Sequence, residues 1–168
     1  MKVNRFRQSV RGIMQARRLS CIAGALAAAL CVGAPNARAQ GAKQVFNPPN
    51  ARPGGVLSSA VKVGDLIFLS GSLGAKPGGG GLADGGIEGQ TRQALENIKT
   101  SAALAGAAMA DIVKCTVFLT DVANFAGMNT AYREAFPSEP PARTTVAVAG
   151  LVVPGALIEI ECVAAASK

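Results

Sequence analysis

The chain has 168 residues, 49% hydrophobic and 16% charged, which suits one domain with a sizeable core and excludes a disordered protein. It contains no histidine and no tryptophan, which excludes Ser-His-Asp and Cys-His catalysis and nearly all zinc sites. Seven of the 17 basic residues and none of the ten acidic ones lie in 1–39, so the formally neutral remainder predicts no nucleic-acid or anionic-membrane partner.

Residues 1–39 are typical of an export signal. The basic segment ends at Arg17-Arg18, and an apolar run rich in alanine and leucine covers 19–34. Ala37-Arg38-Ala39 then has the small-x-small cleavage pattern. The apolar run is shorter than the roughly 20 residues of a membrane-spanning helix, although an uncleaved anchor stays an alternative. We predict a signal peptide at 1–39, cleavage after Ala39, and a periplasmic or secreted protein that does not associate with membranes after cleavage.

The next segments predict an extended arm followed by a hairpin. Residues 40–55, with Asn47-Pro48-Pro49-Asn50, have little helical tendency and are expected to form the arm. The domain itself is expected at 56–168, and its first strands at 56–63 and 66–71 are joined by a Gly64-Asp65 turn. The glycine-rich segment 76–86 predicts a flexible connector, because no Gly-Lys-Ser/Thr follows it.

Two helices and a strand are predicted in the middle of the domain. The helices cover 87–107 and 122–136, the second capped by Asp121, and the strand covers 111–120. Glu88 and Arg92 form an i,i+4 pair that we expect on a solvated face. The expected buried stripes are Ile87, Thr91, Leu95, Ile98 and Ala102 on the first helix, Val113, Cys115, Val117 and Leu119 on the strand, and Phe125, Met128, Tyr132 and Phe136 on the second helix, with Asn129 beside the last stripe.

The last part of the domain predicts two strands of one sheet, at 141–148 and 157–161, separated by a Pro154-Gly155 turn. Arg143 opens the first strand, and Glu159 and Glu161 lie in the second. These residues suit either a structural ion pair of Arg143 with one glutamate or a site for a ligand carboxylate, and both interpretations stay open.

The order β-β-α-β-α-β-β predicts an α+β fold, a mixed sheet covered on one face by two helices. The second face would carry valine and isoleucine, so we expect self-association. Cys115 and Cys162 fall in predicted strands among apolar neighbours. An oxidising compartment permits a disulfide between them, but the sequence favours buried free thiols.

Several motifs, in the same order along 44–165, resemble those of the RidA family of reactive intermediate imine deaminases. They are Val61-Lys62-Val63-Gly64-Asp65-Leu66-Ile67-Phe68-Leu69-Ser70-Gly71, Gln93-Ala94-Leu95-Glu96-Asn97-Ile98, Val113-Lys114-Cys115-Thr116-Val117-Phe118-Leu119-Thr120-Asp121, Met128-Asn129-Thr130-Ala131-Tyr132, Pro141-Ala142-Arg143-Thr144-Thr145-Val146 and Ile158-Glu159-Ile160-Glu161.

The resemblance implies a chorismate-mutase-like homotrimer with ligand clefts between subunits. It implies hydrolysis of 2-imino acids and their enamine tautomers to 2-keto acids and ammonia, without cofactor or metal. By position, Arg143 would hold the substrate carboxylate and Glu159 would position the attacking water. Ser70 and Asn129 match cleft positions, and the backbone around Thr145 would complete the hydrogen bonds to the ligand.

The sequence departs from the family pattern at two cleft positions. Leu57 stands where the family commonly has a tyrosine, so a hydroxyl donor is replaced by an apolar wall. Thr145 stands where a cysteine is often found. Two alternatives to an exported deaminase therefore stay open: a non-catalytic trimer that binds small carboxylates, and an interaction or holdase-like trimer.

Overall fold

The structure, a computed structural model, describes residues 41–51 and 53–166. The predicted signal peptide and its cleavage site lie outside the described residues. In chain order the elements are β1 (Gln44–Phe46), β2 (Ala60–Val63), β3 (Leu66–Leu73), α1 (Gly86–Leu104), β4 (Ile112–Leu119), α2 (Phe125–Ala135), β5 (Ala142–Ala147) and β6 (Ile158–Ala165). Neither helix of this described part is long and apolar enough to cross a membrane.

The six strands form one mixed sheet in the order β1-β2-β3-β6-β4-β5. Only β4 and β5 are parallel, since α2 connects them as a crossover. The two helices cover one face of the sheet, and the apolar side chains between these layers form a single core. The predicted fold class is confirmed. The last two strands, β5 and β6, belong to one sheet as predicted but are not neighbours, because β4 lies between them.

The strand boundaries near the arm differ from the prediction. Gln44–Phe46, within the predicted arm, pairs with β2 as an edge strand. The turn at Gly64-Asp65 is confirmed, and Gly64 adopts a φ of 60° that favours glycine there. Strand β3 extends to Leu73 because a register shift between Leu69 and Ser72 lets it continue along β6.

One residue of the predicted buried stripe on β4 lies on the wrong side. Val113 is 47% exposed, whereas Ile112 is only 5% exposed. The pairing of β4 with β6 shifts register between Ile112 and Lys114, and an extra residue in a strand reverses the side-chain alternation. Cys115, Val117 and Leu119 are buried as predicted.

Helix α2 also begins later than predicted. Asp121 caps the preceding turn through a 2.8 Å hydrogen bond that its Oδ1 accepts from the backbone N–H of Ala123, as expected. Residues Val122–Asn124 form a tighter 3₁₀ turn, so Phe125 is rotated away from the stripe and is 47% exposed. Met128 and Tyr132 are buried as predicted.

The predicted surface pair on α1, Glu88 and Arg92, has a further partner on α2. Arg92 donates to Glu88 at 3.1 Å, and it also donates two hydrogen bonds, 2.7 and 2.9 Å long, to the Glu134 carboxylate on α2. These hydrogen bonds lower the pKa of Glu134. The pair therefore connects the two helices.

The prediction of free thiols is wrong, because Cys115 and Cys162 form a disulfide. The two residues are direct partners on the antiparallel strands β4 and β6, with Cα atoms 4.1 Å apart. They are separated by 47 residues in the chain, and only the pairing of these strands brings them together.

Candidate functional site

Arg143 is anchored at the edge of the sheet by neutral groups. Its side chain points from β5 toward α2, where Nη2 donates a 2.6 Å hydrogen bond to Oδ1 of Asn129 and Nη1 lies 3.7 Å from the sulfur of Met128. Among the described residues no carboxylate forms an ion pair with it. A half-buried guanidinium without a counter-ion, with N–H groups left over, is suited to an anionic ligand.

Aromatic side chains fix the plane of this guanidinium. Its central carbon lies 4.6 Å from the ring centroid of Tyr132 and 5.9 Å from that of Phe125. The Tyr132 ring in turn packs against Phe136, with centroids 4.8 Å apart. The Tyr132 hydroxyl is buried without a hydrogen-bond partner in the described part of the chain, and burial raises the pKa of this phenol to about 12.

A pocket of about 360 Å³ lies in front of Arg143, within the range of small-molecule sites. No acidic side chain of the described residues lines it. Its walls are Asn129, Tyr132, Arg133, Phe136, Pro140, Pro141 and Arg143.

Thr145 lies two residues beyond Arg143, so its side chain is on the same face of β5. Its Oγ1 is buried and has no partner among the described residues. The backbone N–H of Val148 donates to Leu119 on β4, and alternation along the strand turns the peptide groups of Arg143 and Thr145 toward the free edge of the sheet. This edge offers backbone hydrogen bonds beside the guanidinium.

Glu159 lies on the other face of the sheet. Its neighbours Ile158 and Ile160 are fully buried against the helices, so Glu159 points to the open face. Its carboxylate packs over Gly71, where a Cβ would clash with the carboxylate oxygen. Gly71 lies at the register shift in β3, and the missing side chain provides the space.

Arg143 and Glu159 therefore do not meet within one protomer. Arg143, Cys115 and Cys162 are register partners across β5, β4 and β6. Glu159 lies three residues from Cys162 along β6, which places it roughly 10 Å along the strand and roughly 10 Å across the sheet from Arg143. The interpretation of an Arg143–Glu159 ion pair is wrong, and Glu161, on the same open face, is excluded for the same reason.

Ser70 follows the buried Leu69 on β3, so strand alternation places it on the open face with Glu159. Ser70 Oγ donates a 2.6 Å hydrogen bond to the carbonyl of Ser58, and its backbone N–H donates to the carbonyl of Ser59. Leu57, next to Ser58, is 68% exposed. Of the predicted site residues, the structure brings together Arg143, Asn129 and Thr145, and it places Glu159, Ser70 and Leu57 elsewhere.

Two amides that support the site were not predicted. Gln90 on α1 accepts a 2.8 Å hydrogen bond from the N–H of Leu157 and donates to the carbonyl of Gly155, which holds the start of β6. Asn97 donates to the carbonyls of Leu73 and Ala75 after β3. Gln90 could have been identified from the sequence, because it is a polar residue on the buried stripe of α1. Buried amides are normally hydrogen-bonded, so such a residue is expected to hold a neighbouring segment.

The described residues contain no group of three or more acidic or cysteine side chains that could hold a metal ion.

Comparison with known proteins places this geometry in context. The model of the family Endoribonuclease L-PSP matches residues 49–166. A RutC family protein of Pyrococcus horikoshii is 42% identical over 123 residues, which are 73% of this chain and 97% of the relative. The 2-iminobutanoate/2-iminopropanoate deaminase of Bos taurus is 40% identical over 110 residues, 66% of this chain and 80% of the relative.

A solved structure supports the same relationship. The crystal structure of RidA from the Antarctic bacterium Psychrobacter is 39% identical and superposes with a TM-score of 0.65. The similarity covers 73% of this chain and 98% of that one. Both the sequence motifs and the arrangement of strands and helices are therefore shared.

Proposed function

This chain belongs to the Endoribonuclease L-PSP family, which includes RidA and RutC proteins, and from this premise we propose that it hydrolyses 2-imino acids or their enamine tautomers. The products would be 2-keto acids and ammonia. Two mammalian relatives are named as deaminases of 2-iminobutanoate and 2-iminopropanoate, which supports the reaction class.

The observation that carries the proposal is the environment of Arg143. Its guanidinium is half-buried, is held by the neutral side chains of Asn129 and Met128, and lines a pocket to which the described part of the chain contributes no acidic wall. A carboxylate of the substrate would supply the missing counter-charge and accept the unused N–H donors. The outward peptide groups near Thr145 would supply further hydrogen bonds.

Glu159 would reach the substrate from a neighbouring copy of the chain. The two residues lie on opposite faces of one sheet, so a site that contains both needs two protomers. The open face carries exposed apolar side chains that a neighbour would cover, including Leu66, Phe68 and Val146. We propose a homotrimer with its clefts between subunits, in which Ser70 and Leu57 line the Glu159 side.

The proposed reaction needs no metal and no histidine. Water adds to the carbon of the protonated imine while Glu159 accepts one of its protons, and the resulting neutral intermediate carries a hydroxyl and an amino group on one carbon. Glu159 gives that proton to the amino nitrogen, and the C–N bond breaks with loss of ammonia. The hydroxyl proton passes to the Glu159 carboxylate as the keto group forms, and the released ammonia takes it up, which regenerates the carboxylate. Arg143 keeps the carboxylate fixed throughout, so the imine carbon faces the water.

A second candidate function is a non-catalytic trimer that binds small carboxylates. Leu57 favours it, because this position commonly has a tyrosine in the family and a leucine cannot donate a hydrogen bond. A role in RNA cleavage is not proposed, although the family description names one. Residues 40–168 hold equal numbers of acidic and basic residues and no histidine, so they lack a basic footprint for RNA.

We also propose that the protein works outside the cytoplasm, after removal of residues 1–39. The Cys115–Cys162 disulfide supports an oxidising compartment, since such bonds are rare in the cytosol.

The test is ammonia and keto-acid release by protein that starts at Gln40, with the imino acid generated in situ by an amino-acid oxidase. We expect acceleration over spontaneous hydrolysis and its loss in Arg143→Ala, which removes the carboxylate anchor. Glu159→Gln should lower kcat about 10²–10⁴-fold with a smaller change in KM. Glu161→Gln, two residues along the same open face, is the matched control and should retain activity.

Keto-acid binding without turnover, abolished by Arg143→Ala, would select the non-catalytic alternative. If the protein neither turns over imines nor binds keto acids, and Arg143→Ala changes only its stability, the interaction or holdase-like role would be selected.

A further inference from the structure

A second guanidinium lines the Arg143 pocket. Arg133 lies on α2 four residues after Asn129, and residues at this spacing share one face of a helix. Both side chains line the pocket of about 360 Å³ together with Arg143. Two arginine residues, Arg133 and Arg143, therefore line the same pocket.

Neither guanidinium is neutralised within the described part of the chain. Arg143 bonds to an amide oxygen and lies beside a thioether sulfur, and the guanidinium of Arg133 has no hydrogen-bond or ion-pair partner there. The other arginine of the helical layer, Arg92, differs in this respect because Glu88 and Glu134 both bind it. A pocket with two cations and no acidic wall favours a ligand with two negative groups.

We infer that the substrate carries a second acidic group, which Arg133 binds while Arg143 holds the 2-carboxylate. The inference rests on the proposed function and names its substrate class, the 2-imino dicarboxylates, such as the imines formed by oxidation of aspartate or glutamate. The reaction is unchanged: one water is consumed and one ammonia is released, and the distal carboxylate takes no part in bond breaking.

The rest of the pocket agrees with a short acidic side chain. Phe136, Pro140 and Pro141 supply apolar walls for a methylene chain, and Arg133 and Arg143 line the same pocket. A competing structural role exists for Arg133, because it lies in the last turn of α2, where a cation interacts favourably with the helix dipole. The structural role affects the stability of the protein and not its preference between substrates. A measurement of substrate preference therefore distinguishes the structural role of Arg133 from a ligand-binding role.

The experiment compares imines generated in situ from aspartate or glutamate with imines from alanine or leucine. The protein starts at Gln40 and carries Arg133 or the variants Arg133→Gln and Arg133→Lys. We expect the wild type to prefer the dicarboxylates in kcat/KM. Arg133→Gln should lower kcat/KM for dicarboxylates about tenfold or more, and for monocarboxylates less than about twofold, because it removes one charged hydrogen bond.

Arg133→Lys should retain part of the preference because it keeps the charge. Lys99→Gln, which removes a positive charge from α1 outside the pocket, is the control for net charge and should leave the ratio unchanged. Equal losses for both substrate classes in Arg133→Gln, or no change in the ratio, would overturn the inference while the deaminase proposal stands.

A binding measurement keeps the two proposals distinguishable if no imine is turned over. Calorimetric titration with 2-oxoglutarate and 2-oxobutanoate should then give the tighter binding for the dicarboxylate, and Arg133→Gln should remove this difference. Equal affinities in the wild type would overturn the inference independently of catalysis.

Discussion

At the scale of single residues, Tyr132 combines two properties that are seldom found together. Its ring supports Arg143, and its hydroxyl is buried with no hydrogen-bond partner among the described residues. Burial disfavours the phenolate, and the nearby positive charge of Arg143 opposes this only in part, so the pKa is raised from 10.0 to about 12. The residue therefore acts through its ring and not through its hydroxyl.

The ionisation of Tyr132 can be measured directly, because the chain has one tyrosine and no tryptophan. Spectrophotometric titration should give a pKa near 12 in the folded protein and 10.0 after unfolding. The folded state then holds this proton to higher pH, so its contribution to stability is complete below pH 10 and is lost between about pH 10 and 12.

Tyr132→Phe should reduce the loss of stability between about pH 10 and 12. At neutral pH the free energy of unfolding of this variant should be unchanged or higher by up to about 1 kcal/mol, because an unpaired buried polar group is removed. A folded-state pKa near 10, or strong destabilisation by Tyr132→Phe, would mean that the hydroxyl is hydrogen-bonded or reaches water.

At the scale of secondary-structure elements, the position of Glu159 depends on the contact between β3 and β6. The register shift in β3 brings Gly71 beneath the carboxylate, where an added Cβ would clash with the carboxylate oxygen in its present position. Gln90 holds the turn that leads into β6. The glutamate is thus positioned by its neighbours on two elements and not by its own strand alone.

Gly71→Ala tests this positioning. The added methyl group would displace the Glu159 carboxylate, so we expect kcat to fall about tenfold or more, with KM for the substrate little changed. Gly150→Ala is the matched control, because a Cβ at that position meets no atom within 4 Å. Equal effects of both substitutions would contradict a specific role for Gly71.

The disulfide joins β4 and β6 across 47 residues of chain. Constraining a loop of this size in the unfolded state contributes about 4 kcal/mol in the chain-entropy description. We expect reduction to lower Tm by about 10 °C or more. The measurement compares oxidised and reduced wild-type protein that starts at Gln40, in which Cys115 and Cys162 are the only cysteines.

The control is thiol titration of the unfolded protein before and after reduction, which should give no free thiol and then two. Two thiols before reduction, or an unchanged Tm after it, would contradict the assignment of the bond.

At the scale of the whole molecule, the sheet separates the two groups to which the proposed reaction assigns roles, Arg143 and Glu159. Arg143 and Glu159 lie on opposite faces of the β-sheet, and the helices pack on one of these faces. Because the sheet lies between the two side chains, no change of rotamer brings them together. Association of copies is therefore part of the proposed site and not only a source of stability.

Mixing two inactive variants tests this arrangement. Arg143→Ala and Glu159→Gln proteins, unfolded together and refolded as a mixture, should recover up to about one quarter of wild-type activity, because random assembly pairs intact Arg143 and Glu159 from different copies at that frequency. The double variant, refolded in the same way, should recover none. Mixed oligomers that form and stay inactive would exclude a shared site.

Local sequence patterns were sufficient to predict the features that depend on residues close together in the chain. Motif order along the chain indicated the family, alternating and helical periods located both helices and every strand except β1, Gly64-Asp65 indicated the hairpin, and Asp121 indicated the cap. Arg143, Asn129 and Thr145 were also found as candidates, because their motifs are short and contiguous.

Other features depend on pairing between distant segments and are visible only in the three-dimensional structure. The insertion of β4 between β5 and β6, the register shifts at Val113 and Gly71, and the partnership of Cys115 with Cys162 all involve residues far apart in the chain. A period of two assigns alternate residues to two faces but does not say which strands are adjacent or where an extra residue reverses the faces. The opposite orientations of Arg143 and Glu159, and the second guanidinium beside Arg143, follow only from that non-local arrangement.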